Sequence, residues 1–156
     1  MTKRSAGLLL WRRDGTGRVE VLIGHPGGPY FSHRDDGVWS VPKGEYELGE
    51  DAIAAAYREF AEEVGIAPPD GEPVPLGESR QSSGKINTVF ALESDLDITE
   101  ARSNLFPLEW PPRSGRTQEF PELDRVAWIE IGRARSKVWA SQRVFVDRLA
   151  ALVESP

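Results

Sequence analysis

Residues 51–64 form the clearest helix in the sequence, and it carries a charge pattern that a purely structural helix would avoid. The run is Ala-rich and free of Gly and Pro, and Gly65 with Pro68 and Pro69 beyond it ends the helix. At about 100° per residue, Ile53, Ala56, Phe60 and Val64 share one face, which predicts packing on a sheet. Glu59, Glu62 and Glu63 lie together about a third of a turn away, spaced i, i+3 and i+4. Like charges at those spacings cost roughly 0.2–0.5 kcal/mol per pair. They also crowd the last turns, where the macrodipole is already negative. A design for stability alone would place Lys or Arg there. Two readings account for the cluster: a solvated acidic face, or a site for a hard divalent cation such as Mg²⁺ or Mn²⁺.

Around this helix the chain alternates strands and turns. Residues 5–13 and 19–24 read as an opening hairpin across Asp14-Gly15-Thr16-Gly17. A Gly/Pro-rich loop covers 25–37, followed by a short extended piece at 39–42. Residues 75–81 and 85–92 predict a second strand pair around Ser82-Ser83-Gly84, and 94–121 reads as irregular. Residues 125–131 alternate like a strand with Val126, Trp128 and Glu130 on one face. A closing amphipathic helix is expected over 134–153, with Val138, Phe145, Leu149 and Leu152 as its apolar stripe. The class is therefore α/β or α+β, in one domain over 1–156. Trp11, Trp128 and Trp139 read as core, whereas Trp39, Tyr30 and Phe31 are open to either core packing or stacking on a base.

Composition narrows the partners. A net charge of −6 gives no general basic excess, so long nucleic acid is not expected as a ligand. A phosphorylated small molecule remains compatible, through a local basic pocket or bound cations. The chain has no cysteine, which excludes disulfides and thiolate metal sites and fits a cytoplasmic protein. The apolar run at 7–11 is too short for a membrane span, so no membrane association is expected. Nothing in the sequence decides the oligomeric state.

The wider spacing separates the two readings of the helix. Gly44 is followed after five residues by Glu50, then after seven by Arg58-Glu59-Phe60-Ala61-Glu62-Glu63-Val64-Gly65-Ile66. Seven positions of this pattern demand one residue type and two demand an apolar one. At typical frequencies of roughly 5–10% each, chance gives odds well below about 1 in 10⁵. The run from Gly44 to Ile66 matches the Nudix box at every position, and the chain resembles the Nudix hydrolase family. The likeness extends to the opening hairpin, the Trp39-Ser40-Val41-Pro42-Lys43-Gly44 approach, the later strand pair and the Trp128 strand before the final helix. It implies an α/β/α sandwich with a mixed sheet, and hydrolysis of a diphosphate linkage assisted by Mg²⁺ or Mn²⁺, with more than one ion.

Resemblance and chemistry together make Glu62 and Glu63 the leading metal ligands. Glu59 follows, as a ligand or as the base that activates the attacking water. The Gly44 carbonyl is a further ligand by resemblance only. Glu50, at the positive end of the helix, and Arg58 would orient the carboxylates without direct participation. Gly65 reads as a left-handed cap. Family members recruit one more carboxylate from outside the box; Glu109, Glu119, Glu122 and Asp124 are candidates, with Glu122 favoured for its place six residues before Trp128. No Cys or Ser nucleophile motif is present, so no covalent intermediate is suggested and water is the expected nucleophile at phosphorus. Lys43, Arg80, Lys85, Arg113 and Arg116 are candidate phosphate contacts, the last two flanking a Trp110-Pro111-Pro112 stretch that could serve as a substrate lid. His25 and His33 lack ligand spacing and read as incidental.

The box handles the diphosphate while the loops read the remainder of the substrate. The Trp128 spacing and Lys43 favour dinucleoside polyphosphates, as in MutT-like and dinucleoside polyphosphate hydrolase members. Ordinary or oxidised nucleoside triphosphates come next, then ADP-ribose or nucleotide sugars. A non-catalytic Nudix-fold regulatory module is the competing class; degenerate members lose box carboxylates, and here all are present. An isomerase or an enzyme of RNA 5′ ends is a third.

Overall fold

The computed structural model describes residues 2–154. Its centre is β1 (Arg4–Arg13), whose apolar run needs cover on both faces. Ala6, Leu8 and Leu10 turn to one side and Leu9 to the other, all fully buried. One edge of β1 is shared. Its far end pairs antiparallel with β2 (Val19–Pro26), and its near end with β3 (Lys43–Tyr46), where Gly44 faces Ala6. Along the other edge β5 (Ile86–Glu93) runs parallel, from Arg4–Ile86 to Trp11–Glu93. β4 (Val74–Arg80) lies outside β5, and β8 (Leu123–Glu130) outside β2. The sheet is mixed, as expected.

Helices cover both faces. α1 (Ala52–Val64) lays Ala55, Ala56, Phe60 and Val64 on Ala6, Leu8, Leu10, Leu22 and Leu92. On the opposite face, α2 (Ile131–Lys137) and α3 (Arg143–Glu154) pack Ala134, Phe145, Val146 and Leu149 on Leu9, Val21, Ile23 and Val89. The result is the expected α/β/α sandwich. Among the described residues no helix is long and apolar enough to cross a membrane.

Several expectations change. Ile53 is only half-buried and stands outside the core cluster; Ala52 and Ala55 take its place. The helix is thus rotated toward the row Ala55, Glu59, Glu63, one turn apart. The expected helix over 134–153 breaks at Val138-Trp139. There the chain is extended: Val138 bridges Trp39, and the Trp139 N–H donates to the Trp39 carbonyl at 3.1 Å. A 3-10 turn at Ala140–Gln142 then leads into α3. Trp139 is exposed in consequence, and so is Leu152, at the far end of α3. Trp39 is core, its ring edge-on to that of His25. Residues 94–121 are not irregular throughout: β6 (Leu105–Glu109) and β7 (Thr117–Pro121) form a two-stranded sheet of their own.

Candidate active site

Three sequence elements converge at the end of α1. Gly65 ends the helix in the left-handed conformation, φ 75°, with its N–H on the Ala61 carbonyl, as predicted. A side chain there would lie 1.9 Å from the Arg102 carbonyl oxygen, so glycine lets the returning chain press against the helix end. Arg102 N–H then donates to the Val64 carbonyl at 2.8 Å, and Asn104 N–H to the Glu62 carbonyl at 2.9 Å. Two of the orphan carbonyls of α1 are thereby satisfied.

The same segment brings in Glu122. The Asn104 carbonyl accepts the Glu122 N–H at 2.9 Å, and the Ser103 hydroxyl accepts the Leu123 N–H at 3.0 Å. The Glu122 carbonyl in turn accepts the Gly27 N–H at 3.0 Å. Glu122 therefore rests on a backbone relay that starts at Glu62. Ser103 and Asn104 carry no charge or motif, which is why sequence reading passes over them.

Inside the box the carboxylates are unequal. Glu59 is buried, at 9% exposure, so the acidic cluster is not simply a solvated face. Its carboxyl lies directly on Gly44; a Cβ on that glycine would come within 2.1 Å of the Glu59 carboxyl carbon. Burial raises the Glu59 pKa first and the Glu62 charge second, against the pull of Arg58. Glu63 accepts the Lys43 N–H at 3.2 Å. Burial pushes its carboxyl up to about 8, with Glu59 and Glu122 adding repulsion. Glu62 is exposed. Glu122 is largely exposed too, yet the crowding around it is enough desolvation to raise its carboxyl.

Arg58 binds these groups together. It holds Glu50 with a two-pronged contact, Nε and Nη2 both at 3.1 Å, and reaches Glu59 at 2.8 Å and Glu62 at 3.5 Å through Nη1. Among the described residues no three acidic or histidine side chains meet around a common chelating point. Glu59 and Glu62 are turned onto the guanidinium instead. The donor set nevertheless fits a hard divalent cation: carboxylate oxygens only, crowded past what one Arg neutralises, around a glycine with no side chain to block approach.

The other predicted contacts divide. Lys43 lies beside Glu63, its ammonium pushed below the usual range by burial and by Lys85. Lys85 pairs with Glu45 at 3.0 Å. Arg80 ends β4, exposed, opposite Ile86. Arg113 and Arg116 lie in the β6–β7 turn, where Trp110 packs edge-on against Tyr30 at 5.4 Å. Among the described residues none of these three makes a hydrogen bond or ion pair with a box residue. Of the remaining acidic candidates, Glu109 accepts the Arg113 N–H, and Asp124 holds the buried His25 at 2.9 Å. His25 is thus structural, with its other ring nitrogen 2.6 Å from the Arg34 carbonyl oxygen.

Comparison with known proteins identifies the family of the chain. The NUDIX domain profile matches residues 1–149. A curated RNA pyrophosphohydrolase from Dinoroseobacter shibae is 42% identical over 65 residues, 42% of this chain and 35% of that protein. The chain therefore matches about a third of that relative's length. A C. elegans Ap4A hydrolase binary complex superimposes with TM-score 0.65 at 21% identity, covering 96% of this chain and 97% of the other. The NUDIX domain of Shewanella oneidensis NrtR, complexed with ADP ribose, does so with TM-score 0.65 at 14% identity, covering 98% and 89%. At such identities the two structures speak for the fold, while the profile spans nearly the whole sequence. With an unbroken box and that match, the chain belongs to the Nudix family.

Proposed function

We propose that this chain hydrolyses a diphosphate bond in a dinucleoside polyphosphate or a nucleoside triphosphate, with divalent cations bound at Glu59, Glu62, Glu63, Glu122 and the Gly44 carbonyl. The observation that carries the reading is the buried Glu59 carboxyl against Gly44, with the Glu63 carboxylate on the neighbouring Lys43 N–H and Glu122 tied to the same helix end. When bound, Mg²⁺ or Mn²⁺ neutralises the diphosphate oxygens and acidifies the attacking water. The chain's own residues do the rest. Glu59, raised by burial, takes the proton as water adds to phosphorus. Arg58, anchored on Glu50, keeps Glu59 and Glu62 in place. Lys43 meets an outer phosphate from the strand next to Glu63.

A second reading, removal of diphosphate from an RNA 5′ end, is favoured by the name of the D. shibae relative. One experiment weighs both: diadenosine polyphosphates, ordinary and oxidised nucleoside triphosphates, ADP-ribose and a short 5′-triphosphorylated RNA, each with Mg²⁺ and Mn²⁺. Products are resolved by anion exchange, with Glu62→Gln alongside. The proposal expects metal-dependent cleavage of the first two classes and a loss of about 10²–10⁴-fold in the variant. Near-normal turnover by the variant would refute the assignment, and cleavage confined to RNA would favour the second reading.

A further inference from the structure

Beside Glu63 lies a cleft of about 380 Å³. Its walls are the end of α1, the segment at 101–105, the foot of the β6–β7 hairpin and β8. Leu105 and Val126 give it apolar surface, Arg102 and Arg125 give it charge, and Glu63 joins it to the carboxylate cluster. Its volume is near the lower end of ligand pockets, about 300–1,000 Å³, which suits one nucleotide and not two.

The two arginines differ. Arg125 is already engaged, 3.2 Å from Asp124 and 5.2 Å over the Trp39 ring. Arg102 is exposed, and its side chain enters no ion pair among the described residues. Its backbone is fixed all the same, by the bond to Val64 and by the close approach of Gly65. A guanidinium without an ion pair among the described residues, carried on a held backbone and lining a cleft in an acidic protein, is suited to a phosphate oxygen. Leu105, 56% exposed on the hairpin, is apolar surface without a cover of its own.

We infer that this cleft is the subsite for one mononucleotide half of the substrate, and after cleavage for the nucleoside monophosphate product. The assignment rests on the hydrolase reading above. Water adds its oxygen to phosphorus, the anhydride oxygen leaves with the other half, and the nucleotide that keeps the new P–O bond stays against Glu63. Its phosphate meets Arg102, and its ring lies on Leu105 and Val126.

The test is calorimetric titration of the full chain with AMP in Mg²⁺, alongside Leu105→Trp, which fills the cleft, and Arg102→Glu, which reverses its free charge. Arg133→Glu, on α2, repeats the charge change elsewhere. AMP should bind the unaltered chain and Arg133→Glu alike, and at least 10-fold more weakly to each cleft variant, with melting temperatures confirming the fold. Absence of AMP binding, or undiminished affinity in either cleft variant, overturns the inference. Binding is read without turnover, so a chain that binds AMP in this way but cleaves nothing in the substrate panel would instead refute the hydrolase proposal.

Discussion

α1 and α2 treat the helix dipole in opposite ways. At the start of α2 the Glu130 carboxylate accepts the Gly132 and Arg133 N–H groups, at 2.7 and 3.3 Å. Arg135 and Lys137 occupy its last turn, Lys137 paired with Asp35 at 2.8 Å. Negative charge at the N-terminus and positive charge at the C-terminus both stabilise. α1 lacks both arrangements within its own turns: the first turn has no acid and Asp51 makes no side-chain cap, the last turn has no basic residue, and Glu59, Glu62 and Glu63 gather at the negative end. The short helix, with little core to hold it, follows the rules of stability. The long one, riveted to the sheet by Ala55, Ala56, Phe60 and Val64, can bear an arrangement that its own electrostatics oppose. Charge placed against the dipole is informative where packing can offset it.

Substitutions should widen or erase this contrast. The largest effect is expected from Gly44→Ala, whose methyl would displace the Glu59 carboxylate. Steady-state assays should show turnover reduced by about 100-fold or more, since an ångström of misplacement is costly to catalysis. A merely two-fold loss would mean Glu59 need not lie where it does.

Next comes Glu63. Its folded-state pKa, about 8, stands above the ordinary value of 4.5, so the fold holds this proton more tightly than the unfolded chain does. The stability it contributes is complete below about pH 4.5 and is lost as pH rises through about 8. In EDTA, urea unfolding should show stability declining over that window. Glu63→Gln should flatten the decline and leave the protein more stable at pH 9, by on the order of 2 kcal/mol. An equally steep decline in the variant would locate the strain elsewhere. The smallest effect belongs to α2: Glu130→Ala should cost about 1 kcal/mol of stability and leave turnover unchanged, because it removes only a cap.

How far the sequence can be read follows from the range of the forces involved. α1, its Gly65 stop and the box are local, and periodicity with spacing exposes them. The pairing of Arg58 with Glu50 is also local, from the second turn of α1 back to the residue before its cap. Three features are not. Ile53 and Ala55 both fit an apolar stripe, and only contact with the sheet decides which is buried. Val138-Trp139 leaves the helix because Trp39, a hundred residues earlier, offers its backbone. The β6–β7 hairpin is hidden by Pro107 and Pro121, residues that argue against strands and are tolerated in this two-stranded ribbon, which has no inner strand. That hairpin delivers Glu122, so the out-of-box carboxylate could be favoured by spacing, while the relay through Asn104 that holds it could not be foreseen.

On the function proposed above, the carboxylates at the end of α1 are arranged for a divalent cation. Mn²⁺ binding, followed by electron paramagnetic resonance at pH 8 in the unaltered chain and in Glu63→Gln, tests it most directly. The unaltered chain should bind Mn²⁺ saturably, and at least about 10-fold more weakly when this carboxylate is neutralised. Equal binding by both proteins, or none by either, would contradict it.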